Sequence, residues 1–243
     1  MNQPNIRTQT PAHYTEMPPR SFLLYGEIKV GKSATAAQFP KPLILNVLTE
    51  NGTTELVGDA IDIVTPADLQ SMVRWFKAGQ HDYKTLVLDG LSTFVIDAVN
   101  KIESRDTRRA VKDATGELRG PLHEFLSLPC IRVLVAHARR DEEEIKVEEN
   151  GRLVARTKVS VYPDLPPRLR QFVEGRVDAI GYCYPNGGKS YVWWLPLDTE
   201  NPKPRSIVAG NRLSLPKTTE LSYDAIHNAI VKPSAPQQAP AGK

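Results

Sequence analysis

Gly26-Glu27-Ile28-Lys29-Val30-Gly31-Lys32-Ser33 fits the pattern G-x-x-x-x-G-K-[ST], and each residue type at that spacing suits the gripping of a polyphosphate. Glycine permits backbone conformations and a close main-chain approach that a Cβ would block. Successive N–H groups from Gly26 through Ala34 can then line an anion cradle, aided by the partial positive charge of a helix start. Lys32 brings a point charge to the β- and γ-phosphates, and the Ser33 hydroxyl is a ligand for Mg²⁺. The expected ligand is therefore ATP with Mg²⁺.

That chemistry needs more than one loop. A carboxylate at the end of a neighbouring strand must order the metal and its waters, and Leu86-Val87-Leu88-Asp89 provides one about 55 residues further on. Hydrolysis also needs a group that orients or deprotonates water. Glu50, closing Leu48-Thr49-Glu50, is the candidate. His137 ends the apolar run Ile131 to Ala136, where a polar side chain can sense the γ-phosphate.

The surrounding pattern supplies elements to hold these groups. Ser21 to Tyr25 reads as a buried strand entering the loop, and Ala34 to Phe39 as the helix leaving it, ended by Pro40 and Pro42. Short apolar runs at 43–48, 61–64, 85–88 and 131–136 alternate with amphipathic helical patterns. Thr65 and Pro66 mark one helix start, and Phe94, Val95, Ala98, Val99 and Ile102 share a face of the next helix. This alternation predicts an α/β domain around a mostly parallel sheet. Beyond residue 141 two antiparallel hairpins are expected, turning at Asn150-Gly151 and at Pro185-Asn186-Gly187-Gly188. Ser222 caps a last helix over 223–230. Residues 1–19 read as a flexible arm, 20–231 as one ATPase domain, and 232–243 as a disordered Pro/Ala/Gln-rich tail.

Composition narrows the class. The chain has 243 residues, 40% apolar and 24% charged, which is ordinary globular composition. A net charge of +3 is too small to argue nucleic-acid binding by itself, so any basic surface must be local. Cys130 and Cys183 lie in apolar runs without metal-ligand spacing and read as buried, reduced thiols. No stretch has the length and apolar character of a membrane span or a signal peptide, so a cytoplasmic location is expected.

The order of phosphate loop, glutamate-ended strand (Glu50), aspartate-ended strand (Leu86-Val87-Leu88-Asp89-Gly90-Leu91-Ser92) and polar-ended strand (Ala136-His137) resembles the RecA-like core. In particular it is similar to small phage RecA-like ATPases of single-strand annealing recombination. The resemblance implies a three-layer P-loop NTPase core, Glu50 as catalytic glutamate and His137 as γ-phosphate sensor. The segment Ile207 to Pro216 resembles the recombinase stretch that reaches a neighbour's ATP, which implies Arg212 as a trans-acting cation. Gly210 stands where that family has a second lysine. Single-stranded DNA would contact two loops, one near 104–120 with Arg105, Arg108, Arg109, Lys112 and Arg119. The other would span 138–160, with Arg152, Arg156 and Lys158. A homo-oligomeric ring or filament, a single-strand DNA-binding protein as partner and a bacterial host cytoplasm are further implications. Two alternatives stand beside this reading. One is a nucleotide kinase, with Arg105-Asp106-Thr107-Arg108-Arg109 as its lid. The other is an ATP-dependent protein switch that does not use DNA.

Overall fold

The computed structural model describes residues 17–18, 20–48, 58–199 and 205–231. Glu50, residues 1–16 of the arm and the tail over 232–243 lie outside these described residues. The chain builds a mixed α/β fold on one large, mostly parallel sheet, consistent with a P-loop NTPase. Its centre is formed by β1 (Ser21–Gly26), β2 (Pro42–Val47), β3 (Asp59–Ile63), β4 (Thr85–Asp89), the first part of β5 (Ile131–Glu149) and β7 (Ala179–Asn186). In space these run β7-β1-β5-β4-β2-β3, all parallel. Strand β5 therefore lies between the strand that enters the loop and the strand that ends in Asp89. The antiparallel strands β8 (Lys189–Trp193) and β12 (Thr218–Glu220) extend the β7 edge.

Near-continuous apolar strands bury both faces, and alternation divides them between two cores. Leu23, Tyr25, Leu45, Leu88 and Leu134 pack on one side against α2 (Pro66–Lys77), α3 (Leu91–Asn100), α4 (Thr107–Leu126) and α5 (Pro167–Glu174). Phe22, Leu24, Val87, Val133 and Cys183 pack on the other against α1 (Lys32–Ala36) and α6 (Tyr223–Val231). Trp194 joins that second core fully buried, while its neighbour Trp193 stays partly exposed. Among the described residues, no helix is long and apolar enough to cross a membrane.

Past His137, β5 leaves the sheet and pairs antiparallel with β6 (Arg152–Pro163) through the turn at Asn150 and Gly151, both at positive φ. The short strands β9 (Leu197–Thr199) and β10 (Arg205–Ile207) widen this ribbon. Tyr25 ties it to the main sheet: its buried hydroxyl donates to Val208 O at 2.6 Å and Val161 O at 3.3 Å.

The segment over 104–120, expected as a DNA-contact loop, is instead mostly helix α4. Asp106 caps it, accepting from the Arg108 and Arg109 N–H groups. Ala110, Ala114, Leu118, Leu122 and Phe125 bury one stripe at spacings of three and four, which holds the segment helical against α2 and α3. The second expected contact segment, 138–160, forms the antiparallel hairpin expected to turn at Asn150-Gly151.

Candidate active site

The loop Glu27 to Gly31 leaves the carboxyl end of β1 and enters α1 at Lys32. Lys29 (φ 64°) and Gly31 (φ 96°) both occupy the left-handed region. Left-handed residues interleaved in such a turn make successive N–H groups converge, an anion-binding concavity. A lysine held there costs about 1 kcal/mol or more, strain of a kind that clusters at functional sites. Glu27, Ile28 and Lys29 arch outward while Val30 anchors the loop in the core, only 6% exposed. Gly26 is required by space: a Cβ there would stand 2.2 Å from the Cys183 carbonyl oxygen on β7. Helix α1 is shorter than the helical run anticipated from Ala34 to Phe39, and the chain finishes in a turn, with Phe39 N–H donating to Ala36 O. Its buttress comes from the far end of the chain, where Leu221 O accepts from Thr35 Oγ1 and Gln38 Oε1 accepts from Tyr223 N–H.

Three chemically expected side chains meet here. Lys32 is 6% exposed, and its Nζ donates to Gly26 O at 3.1 Å and Glu27 O at 2.6 Å. The loop's own carbonyls thus hold the ammonium at the mouth of the cradle. Ser33 Oγ donates to Asp89 Oδ1 at 3.0 Å, although the residues stand 56 positions apart in sequence. Asp89 is 4% exposed at the carboxyl end of β4. A hydroxyl and a carboxylate side by side after the loop are the oxygen ligands that would suit Mg²⁺ bound with a nucleotide. Among the described residues no group of three or more His, Cys, Asp or Glu could hold a metal ion.

His137 pairs in register with Gly26, so the sensor candidate stands beside the first loop residue. Its backbone is fixed on both sides: the His137 N–H donates to Ser92 Oγ at 3.0 Å, and its carbonyl accepts from Asp164 N–H at 2.9 Å. Ser92 belongs to the helix that follows Asp89, so the strands ending in Asp89 and in His137 are hydrogen-bonded just past their ends. Sequence reasoning assigned Ser92 no role; its only signal is its place three residues after Asp89. Asn46 was also missed. It is 7% exposed on β2, pairs in register with Asp89, and donates to Asp62 at 2.8 Å. A buried asparagine within an otherwise apolar strand was the available sign.

Arg212 is not brought to this cradle. Strand β11 (Gly210–Asn211) pairs with Ala179 and Ile180 at the start of β7, which places Arg212 at the amino end of the sheet. Its Nη2 donates to Gly175 O at 3.2 Å and its N–H to Asp178 O. Arg105, Arg108, Arg109, Lys112 and Arg119 are exposed; the last four lie on the solvent side of α4, with Arg119 5.1 Å from the Phe172 ring. On the ribbon, Arg152 is exposed, Arg156 pairs with Glu149 at 2.7 Å and Lys158 with Asp198 at 2.6 Å. Both cysteines are free and buried. Burial pushes the Cys183 thiol up to about 12, against the opposing charge of Lys32, and the Cys130 thiol up to about 11.

A family model described as an AAA domain matches residues 18–213, most of the chain, including the loop, Asp89 and His137. The chain belongs to the AAA domain family. It is thus a P-loop ATPase-type domain, and the matched residues include Lys32, Ser33 and Asp89. The match ends before Leu221 and α6, which buttress α1. No curated protein matches the chain.

Proposed function

We propose that this AAA domain hydrolyses ATP with Mg²⁺ and couples that reaction to single-stranded DNA, promoting annealing or strand pairing. The observation that carries the ATPase reading is the Ser33–Asp89 hydrogen bond directly after the phosphate loop. Bound between those two side chains, Mg²⁺ would supply charge neutralisation on the phosphate oxygens. Lys32 exchanges the Gly26 and Glu27 carbonyls for phosphate oxygens, a swap of neutral acceptors for charged ones that favours triphosphate binding. Glu50 activates the attacking water, and His137 reports the γ-phosphate through its hydrogen bond to Ser92. Adjacent copies share the reaction, the Arg212 edge of one facing the loop of the next, with stabilisation of developing charge worth a thousandfold or more, on the order of that of arginine fingers.

The DNA part is supported by the basic solvent face of α4, where Arg108, Lys112 and Arg119 recur at helical spacing. The kinase alternative draws less support. Its lid segment is anchored by the Asp106 cap as the first turn of a core-packed helix. The test is steady-state ATP turnover with and without single-stranded DNA. DNA should raise the rate, and Lys32→Ala should abolish it. Absence of stimulation together with salt-independent DNA binding would overturn the DNA role, and a phosphorylated nucleotide product would restore the kinase.

A further inference from the structure

Beside the loop lies a surface that the nucleotide chemistry does not use. Tyr182 and Tyr184 alternate along β7 with the buried Gly181 and Cys183, so both rings stand on one face of the sheet. Their centroids are 5.9 Å apart with planes 14° from parallel, and Tyr184 meets Tyr191 across the β7–β8 pair at 6.1 Å. Tyr25, fully buried, backs the row 5.4 Å from Tyr182, while the other three rings remain partly exposed. A cavity of about 160 Å³ opens against Tyr182 and Tyr184, edged by Arg140, Arg205 and Glu27. Glu27 is the loop residue whose carbonyl holds Lys32, so an occupant of this cavity touches the nucleotide site directly.

We propose that the row Tyr182–Tyr184–Tyr191, with Arg140 and Arg205, is the surface on which single-stranded DNA lies, bases against the rings and phosphates against the arginines. The proposal rests on the single-stranded DNA reading and gives the bases a location that α4, with no Phe, Tyr or Trp on its basic face, does not offer. Aromatic rings plus a basic edge are the sequence-tolerant recipe for single strands, because every unpaired base has a face to stack. A duplex hides those faces. The ring spacings of 5.9 and 6.1 Å also exceed the rise of about 3.4 Å per nucleotide of a duplex strand, which suits a stretched single strand. Arg140 pairs with Glu142 at 3.4 Å on the exposed surface, and such a pair yields readily to phosphate. Arg156 and Lys158 are by contrast already committed to Glu149 and Asp198.

The experiment is fluorescence polarisation of labelled oligo(dT) on the full chain, with labelled ATP titrated in parallel. Tyr184→Ala should weaken oligo(dT) binding about tenfold or more, and Tyr184→Phe should keep it. Arg205→Ala, at an exposed position, should weaken it and reduce its salt dependence, whereas Tyr184→Ala should leave the salt slope unchanged. ATP affinity should stay at the wild-type value in all three. If Tyr184→Ala and Arg205→Ala both bind like wild type while an Arg108/Lys112/Arg119 triple alanine variant loses binding, DNA lies on α4 and the proposal fails alone. If the wild type does not bind oligo(dT), the single-stranded DNA reading fails with it. Loss of ATP affinity in Tyr184→Ala, with oligo(dT) binding intact, would assign the rings to the nucleotide base and also overturn the proposal.

Discussion

Gly26 and Gly31 occupy equivalent-looking positions in the loop motif, yet the structure predicts very different costs for replacing them. In Gly26→Ala the new methyl would sit 2.2 Å from the Cys183 carbonyl oxygen and 3.0 Å from its Cβ. Both atoms belong to the paired strand β7, so relief requires separating β1 from β7. Overpacking of this kind costs about 1–3 kcal/mol where side chains can yield, so a clash with backbone belongs at or above about 3 kcal/mol. For a chain of this size that is a fall in Tm of roughly 6–12 °C. In Gly31→Ala the methyl would meet only Leu221 Cδ2, at 3.9 Å, an ordinary contact. The penalty there is the left-handed backbone at φ 96°, about 1–2 kcal/mol, hence roughly 2–8 °C. Differential scanning calorimetry of both variants decides the order. A Gly26→Ala protein as stable as Gly31→Ala, or more stable, would refute the claim that β1 and β7 approach too closely at the loop entrance for a side chain.

Asp106→Ala removes the cap of α4 and should cost about 1 kcal/mol, a fall in Tm of roughly 2–4 °C, with Asp106→Asn nearly silent; thermal unfolding of the pair checks it. Burial lifts the Cys183 thiol from 9.0 to about 12, so the protonated form is favoured in the folded state. Its contribution to stability is full below about pH 9 and is lost as the pH rises toward about 12. Denaturant unfolding between about pH 8 and about pH 10.5 should therefore show a declining alkaline limb that Cys183→Ala flattens. Neither cysteine should react with a thiol reagent in the native protein, and both should react in denaturant.

The phosphate loop was legible because its chemistry is local: glycine, lysine and serine at fixed spacing between an apolar run and a helix start. Asp89 was legible because a short buried strand ending in aspartate leaves few places for that carboxylate, and the structure puts it against Ser33. Segment 104–120 was misread because its loop was carried over from the resemblance to RecA-like proteins rather than read from its own residues. The buried stripe Ala110, Ala114, Leu118, Leu122 and Phe125 holds it helical by packing against two other helices. The partnership of Ser92 with His137, and of Asn46 with Asp62, depends on strand order, which no local pattern encodes. Strands as short as Gly210–Asn211 exist only because β7 offers them a partner, so the location of Arg212 was likewise beyond reach.

Calorimetric titration of ATP, with and without Mg²⁺, into the wild type, Lys32→Ala and Asp89→Asn tests the nucleotide site most directly. Asparagine at position 89 still accepts the Ser33 hydroxyl but lacks the charge that Mg²⁺ requires. The wild type should bind ATP more tightly with the metal, Asp89→Asn should lose that increment while keeping its fold, and Lys32→Ala should lose ATP itself. Undiminished ATP binding by Lys32→Ala, or a full Mg²⁺ increment in Asp89→Asn, would contradict the assignment.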